Sequence, residues 1–85
     1  MLELYQAEDC PHSTEIRETM TELGLSFVAH NPRHADDGGV TNEFVRDQLV
    51  AIGGEDQIPL LVETDRGVTV TESEEIVSHL RDQYR

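Results

Sequence analysis

The chain has no lysine, no tryptophan and a single cysteine among its 85 residues. Each scarcity excludes something. One cysteine cannot close an internal disulfide, so a disulfide-stapled secreted scaffold is excluded and a reducing compartment is expected. No apolar run approaches the ~20 residues that span a bilayer. The N-terminal residues also lack the basic-then-apolar layout of a secretion signal, so a cytoplasmic location is expected. Positive charge is scarce: six arginines face 18 Asp plus Glu, for a formal charge of −12. That exceeds the magnitude of roughly 2–8 usual for a small soluble domain. Phosphate would repel such a surface at every approach, which argues against nucleic acid and anionic membranes as partners.

Acidity of this degree also accompanies disorder, so the supply of core formers decides. Leu, Ile, Val and Phe make up 22 of the 85 residues. That is about 26%, above the rough 20% floor for folding, and the length suits one domain over residues 1–85. Carboxylates with arginine as the only strong cation suit multimolar salt, where the Debye length falls to about 3 Å or less and self-repulsion is screened. The composition therefore reads as adaptation to a salt-rich cytoplasm, the alternative being chance acidity in a short chain.

Leu2, Leu4 and Tyr5 predict a short strand ending near Gln6. A helix opens at Cys10-Pro11, with Ile16, Met20 and Leu23 on its buried face and Gly24 at its end. Residues 26–29 predict a second strand, and 30–39 a loop. A second helix follows, with Thr41 as N-cap, Val45, Leu49 and Ile52 facing inward, and Gly53-Gly54 as its stop. Residues 60–62 and 68–70 read as a hairpin joined through Thr64, Asp65, Arg66 and Gly67. In the last helix, Thr71-Glu72-Ser73-Glu74 fits a capping box and Ile76, Val77, Leu80 and Tyr84 share one face. The order βαβαββα predicts an α/β fold: a four-stranded mixed sheet flanked by three helices on both faces.

Cys10 falls between the first strand and the first helix. Backbone N–H groups at a helix N-terminus favour an anion, so the position suits a nucleophilic thiolate, and Ser13 could donate a hydrogen bond to it. The opposing reading is a small apolar side chain in the core. Ile58-Pro59 precedes a predicted strand, where proline implies a tight turn or a cis bond. Glu72 and Ser73 open a helix whose N–H groups suit a carboxylate, while Glu72 suits an ammonium.

Taken in order, Cys10-Pro11-His12-Ser13, Ile58-Pro59 and Thr71-Glu72-Ser73 resemble a glutaredoxin, and equally the N-terminal thioredoxin-fold domain of glutathione transferases. The resemblance covers nearly the whole chain. It implies a thioredoxin-like fold with Pro59 cis and facing Cys10. It also implies that the Ile58 backbone pairs with the cysteinyl part of a small thiol, and that Glu72 and Ser73 hold its γ-glutamyl group. Ser13 stands where dithiol glutaredoxins carry a second cysteine, so the implied activity is a monothiol disulfide oxidoreductase acting on protein mixed disulfides. The co-substrate would be glutathione or γ-glutamylcysteine, and the protein a monomer with no metal. Glutaredoxins commonly carry a lysine three positions before the nucleophile for the glycine carboxylate. This chain has Ala7 there, with Arg33 or Arg46 as possible substitutes. The alternative is a redox-inactive thiol-binding adaptor or a dimeric iron–sulfur carrier, although Cys10-Pro11-His12-Ser13 departs from the Cys-Gly-Phe-Ser of the cluster-binding class.

His12 reads equally as a group that promotes the thiolate or as a solvated helix residue. His30, His34, Asp36 and Asp37 bear metal-ligating side chains in no recognised zinc spacing, so a polar loop is expected. His79 is assigned to the polar face of the last helix, and Glu15, Glu18 and Glu22 to a solvated stripe.

Overall fold

Side chains alternate across a strand, and here the alternation divides the core in two. Leu2, Leu4 and Leu61 meet Ile16, Met20, Ile76 and Leu80 in one apolar cluster, whereas Tyr5 and Leu60 meet Leu49 in another. The computed structural model describes residues Met1–Arg85. Its elements are β1 (Leu2–Tyr5), α1 (Pro11–Glu22), β2 (Val28–His30), α2 (Glu43–Gly53), β3 (Leu60–Glu63), β4 (Val68–Thr71) and α3 (Ser73–Tyr84). The sheet order is β2-β1-β3-β4, with β1 parallel to β2 and antiparallel to β3, and β3 antiparallel to β4. Residues of α1 and α3 supply the first cluster and Leu49 of α2 the second, so helices cover both faces as expected. No helix is long and apolar enough to cross a membrane.

Four local expectations need correction. The second strand begins two residues late, at Val28, because its register pairs Glu3 with Val28, Leu4 with Ala29 and Tyr5 with His30. His30 thus belongs to the sheet, stacked on Tyr5 at 4.6 Å and hydrogen-bonded to Glu3. The N-cap of α2 is Asn42, whose side chain accepts from the Val45 N–H; Thr41 does not cap it. Along α2 the i+4 row of Val45, Leu49 and Gly53 faces the sheet, and a Cβ on Gly53 would come within 3.3 Å of Leu60. Ile52 lies about 100° around the helix from Gly53 and is 42% exposed. The capping box of α3 does not form, since Thr71 is the last residue of β4 and the N-cap is Glu72, with no side-chain cap hydrogen bond.

His79 also departs from its expected place. It hydrogen-bonds the buried carboxylate of Glu63, which sits one residue beyond the predicted strand and points under α3. Tyr84 donates its hydroxyl to the same carboxylate, and Arg66 lies 4.0 Å away. Burial raises the pKa of Glu63, but the Tyr84 and His79 hydrogen bonds and the charges of His79 and Arg66 outweigh it and hold the carboxyl below its ordinary value. The bond to Glu63 correspondingly raises the Tyr84 phenol above its ordinary value.

Candidate functional site

Cys10 is the N-cap of α1, with extended backbone (φ −99°, ψ 116°) and Pro11 in the first helical turn. Its N–H donates to Ala7 O at 3.2 Å, and its carbonyl accepts from both the N–H and the hydroxyl of Thr14. The residue is 5% exposed. Ser13 is fully buried, and its hydroxyl accepts from the Ala7 N–H at 3.4 Å. Ser13 therefore closes the loop that carries the thiol, a role the sequence did not suggest. Ser13→Ala is expected to cost roughly 1–3 kcal/mol, because a buried N–H loses its acceptor. It should reduce thiol-dependent turnover without removing it; urea unfolding and turnover on the same preparation check both.

Two further residues brace this loop. Arg17 hydrogen-bonds the side chain of buried Gln6, the Ala7 carbonyl and the Thr14 hydroxyl, and pairs with Glu8 at 3.4 Å. Its signal was in the sequence: residues 10, 14 and 17 recur at spacings of four and three, which stack on one helix face. Asp9 accepts from the N–H groups of Ala35 at 2.9 Å and Asp36 at 3.2 Å, tying the long loop to the residue before Cys10. The Ala35 bond is the chief cause that holds the Asp9 carboxyl below its ordinary value. No sequence pattern marked this contact between residues 26 and 27 positions apart.

The remaining site residues gather opposite. His12, Gln57, Ile58, Pro59, Glu72 and Ser73 line one cleft of about 130 Å³. The Ile58–Pro59 peptide is cis, as expected. Neither the N–H nor the C=O of Ile58 is used by a hydrogen bond of the chain itself. Glu72 has φ +69°, the only non-glycine residue with positive φ. Such strain, roughly 1–3 kcal/mol, concentrates at functional sites. His12, rather than Cys10, lines this cleft, and His12 Nδ1 lies 3.4 Å from Ser73 Oγ. Because no side chain caps α3, its first-turn N–H groups remain open to an anion beside Ser73. Arg33 and Arg46 flank Asp56, at 3.9 and 3.8 Å.

The arrangement thus sets a thiol at the N-cap of α1, two residues before His12, which lines a cleft built from an unpaired peptide backbone, a carboxylate and a hydroxyl. Residues 4–85 match the family model described as glutathione S-transferase, N-terminal domain. Among solved structures, a diazinon-metabolizing glutathione S-transferase of the silkworm Bombyx mori is 27% identical with a TM-score of 0.78, over 100% of this chain and 38% of its own. Rice GST1, solved in complex with glutathione, is 28% identical with a TM-score of 0.73, over 98% and 33%. A glutathione transferase homolog from Sulfitobacter, with bound glutathione, shares the fold at 20% identity and a TM-score of 0.76, over 99% and 37%. The chain spans 33–38% of the length of these structures. No curated protein matches it.

Proposed function

The chain belongs to the glutathione S-transferase N-terminal domain family, and from that premise we propose that it is a monothiol thiol–disulfide oxidoreductase that uses a γ-glutamyl thiol. The observation that carries the reading is the placement of Cys10 at the N-cap of α1, two residues before His12, which lines one cleft with Ile58, Pro59, Glu72 and Ser73. The Cys10 thiolate attacks the small-thiol sulfur of a protein mixed disulfide. The old S–S bond breaks, the protein leaves as thiolate, and the small thiol stays on Cys10. A second small thiolate then attacks that sulfur, regenerating the Cys10 thiolate and releasing the small-thiol disulfide. Ile58 supplies the N–H and C=O for the cysteinyl backbone, Glu72 the carboxylate for the α-ammonium, and Ser73 with the α3 N-terminus the donors for the α-carboxylate.

Arg33 lines a cavity with Ala7 and His34 but lies 3.9 Å from Asp56, so we infer that its charge is shared with that carboxylate and that neither glutathione nor γ-glutamylcysteine is strongly favoured. Ala7 is buried and offers no charge where glutaredoxins commonly place a lysine, and Arg33 and Arg46 both face Asp56. A charge-assisted contact is worth about 1.5–3 kcal/mol, so its absence removes most of the preference for the tripeptide. With one reporter peptide in high KCl, the glutathione and γ-glutamylcysteine mixed disulfides are expected to turn over at similar kcat/KM. A glutathione preference of roughly tenfold, about 1.4 kcal/mol, would reveal a glycine-carboxylate clamp. Turnover of neither would end the oxidoreductase reading. The high-salt condition follows from the proposed setting, a salt-rich cytoplasm.

A further inference from the structure

The part of the site with the least suitable charge is the part that must meet a carboxylate. Beyond the small cleft, His12, Glu72, Ser73, Glu74 and Glu75 line a second, larger one of about 340 Å³. Across both clefts the ionisable lining groups are His12 and three carboxylates, with no arginine. An α-amino-acid terminus brings one ammonium and one carboxylate. The ammonium suits Glu72. The carboxylate enters beside Glu72, Glu74 and Glu75, and like charges at such range oppose it. Ser73 and the α3 N–H groups offer hydrogen bonds, but His12 is the one lining side chain able to carry positive charge.

Position agrees with charge. His12 lies in the first turn of α1 and reaches a residue 61 positions away, with Nδ1 3.4 Å from Ser73 Oγ. The imidazole therefore already stands where a group bound to Ser73 would sit. We propose that His12 is a specificity-determining residue, whose imidazole binds the α-carboxylate of the γ-glutamyl thiol beside Ser73 and so selects thiols that carry one. The inference rests on the reading that this cleft takes a γ-glutamyl thiol. Exchanging the neutral Ser73 hydroxyl for a carboxylate gives the imidazole a charged partner, and such hydrogen bonds are roughly twice as strong as neutral ones. This role differs from promotion of the Cys10 thiolate, because it acts on the end of the ligand remote from sulfur.

Two unreactive thioethers separate binding from turnover. One is S-methyl-γ-glutamylcysteine; the other is S-methyl-N-(4-aminobutanoyl)cysteine, identical but for the missing α-carboxylate. Calorimetry on the 85-residue chain should show His12→Ala weakening the first about tenfold, or about 1.4 kcal/mol, and leaving the second within about twofold. His12→Arg, which returns a cation, should restore most of the loss. Equal losses for both ligands, no loss for either, or no binding by the unsubstituted chain would overturn the inference. The two readings fail separately. Mixed-disulfide turnover without carboxylate-selective loss in His12→Ala removes the His12 role and keeps the oxidoreductase. Carboxylate-selective loss in a chain that turns over no mixed disulfide does the reverse.

Discussion

Cys10→Ser is expected to bring mixed-disulfide turnover down to the uncatalysed background while leaving the fold at least as stable. A hydroxyl at this site is nearly inert as a nucleophile at neutral pH, whereas the thiolate is the attacking species. Stability has the opposite tendency. Cys10 occupies the N-cap of α1 without a side-chain cap hydrogen bond, and serine is among the preferred N-cap residues, worth about 0.5–1 kcal/mol where its oxygen accepts from the first turn. Turnover with the glutathione and γ-glutamylcysteine mixed disulfides, set beside a urea unfolding curve, reads both effects. Appreciable turnover by the variant would mean that the reacting group lies elsewhere.

That Cys10 belongs at a helix N-terminus was legible, because Pro11 and the four-three spacing of Ile16, Met20 and Leu23 mark where the helix begins and which way it faces. The hairpin after Pro59 was legible because glycine permits the turn conformations its loop requires, whereas proline by itself implied a tight turn or a cis bond and the family resemblance implied the cis form. The misread features depend on distant partners. Glu63 ends a strand whose solvent-facing residues would ordinarily be polar, and only the docking of α3 shows that it faces inward. The backbone contacts of Ser13 with Ala7, and of Asp9 with Ala35 and Asp36, were also not legible, because they join segments that only the fold brings together. The positive φ of Glu72 is likewise invisible, since no glycine or asparagine marks it.

Glu63→Ala is expected to be strongly destabilising, because it removes the buried charged acceptor shared by half-buried His79 and Tyr84, each such hydrogen bond being worth about 1.5–3 kcal/mol. A small domain has roughly 5–15 kcal/mol in all, so the variant should unfold at markedly lower urea. Tyr84→Phe, which removes one hydrogen bond to a charged group, is expected to cost about 1.5–3 kcal/mol. Glu63 and Tyr84 each contribute to the pH dependence, with Asp9 adding to the acid side and Tyr5 to the alkaline side. The carboxyl of Glu63 lies below its ordinary value of 4.5, so its contribution is complete above that pH and is lost as pH falls through the lower folded value. The phenol of Tyr84 lies above its ordinary value of 10.0, so its contribution is complete below that pH and fades as pH rises through the higher folded value. Unfolding free energy measured from pH 3 to 11 should therefore fall at both ends. Tyr84→Phe should flatten the alkaline side, and an unchanged alkaline slope in that variant would count against the pairing.

The central pairing of β1 with β3 joins Leu2 to Glu63, positions 61 apart in the chain. Cys10, His12, Ile58 and Pro59 lie within the loop that this pairing closes, and Glu72 and Ser73 follow it. The cleft exists only once a long-range loop has closed, an entropically unfavourable and therefore late event in folding. Until then the nascent chain carries an ordinary cysteine with no pocket beside it. The proposed exchange with a small thiol is therefore expected only on completion of the fold, and its rate would then serve as a clock for the arrival of the native state.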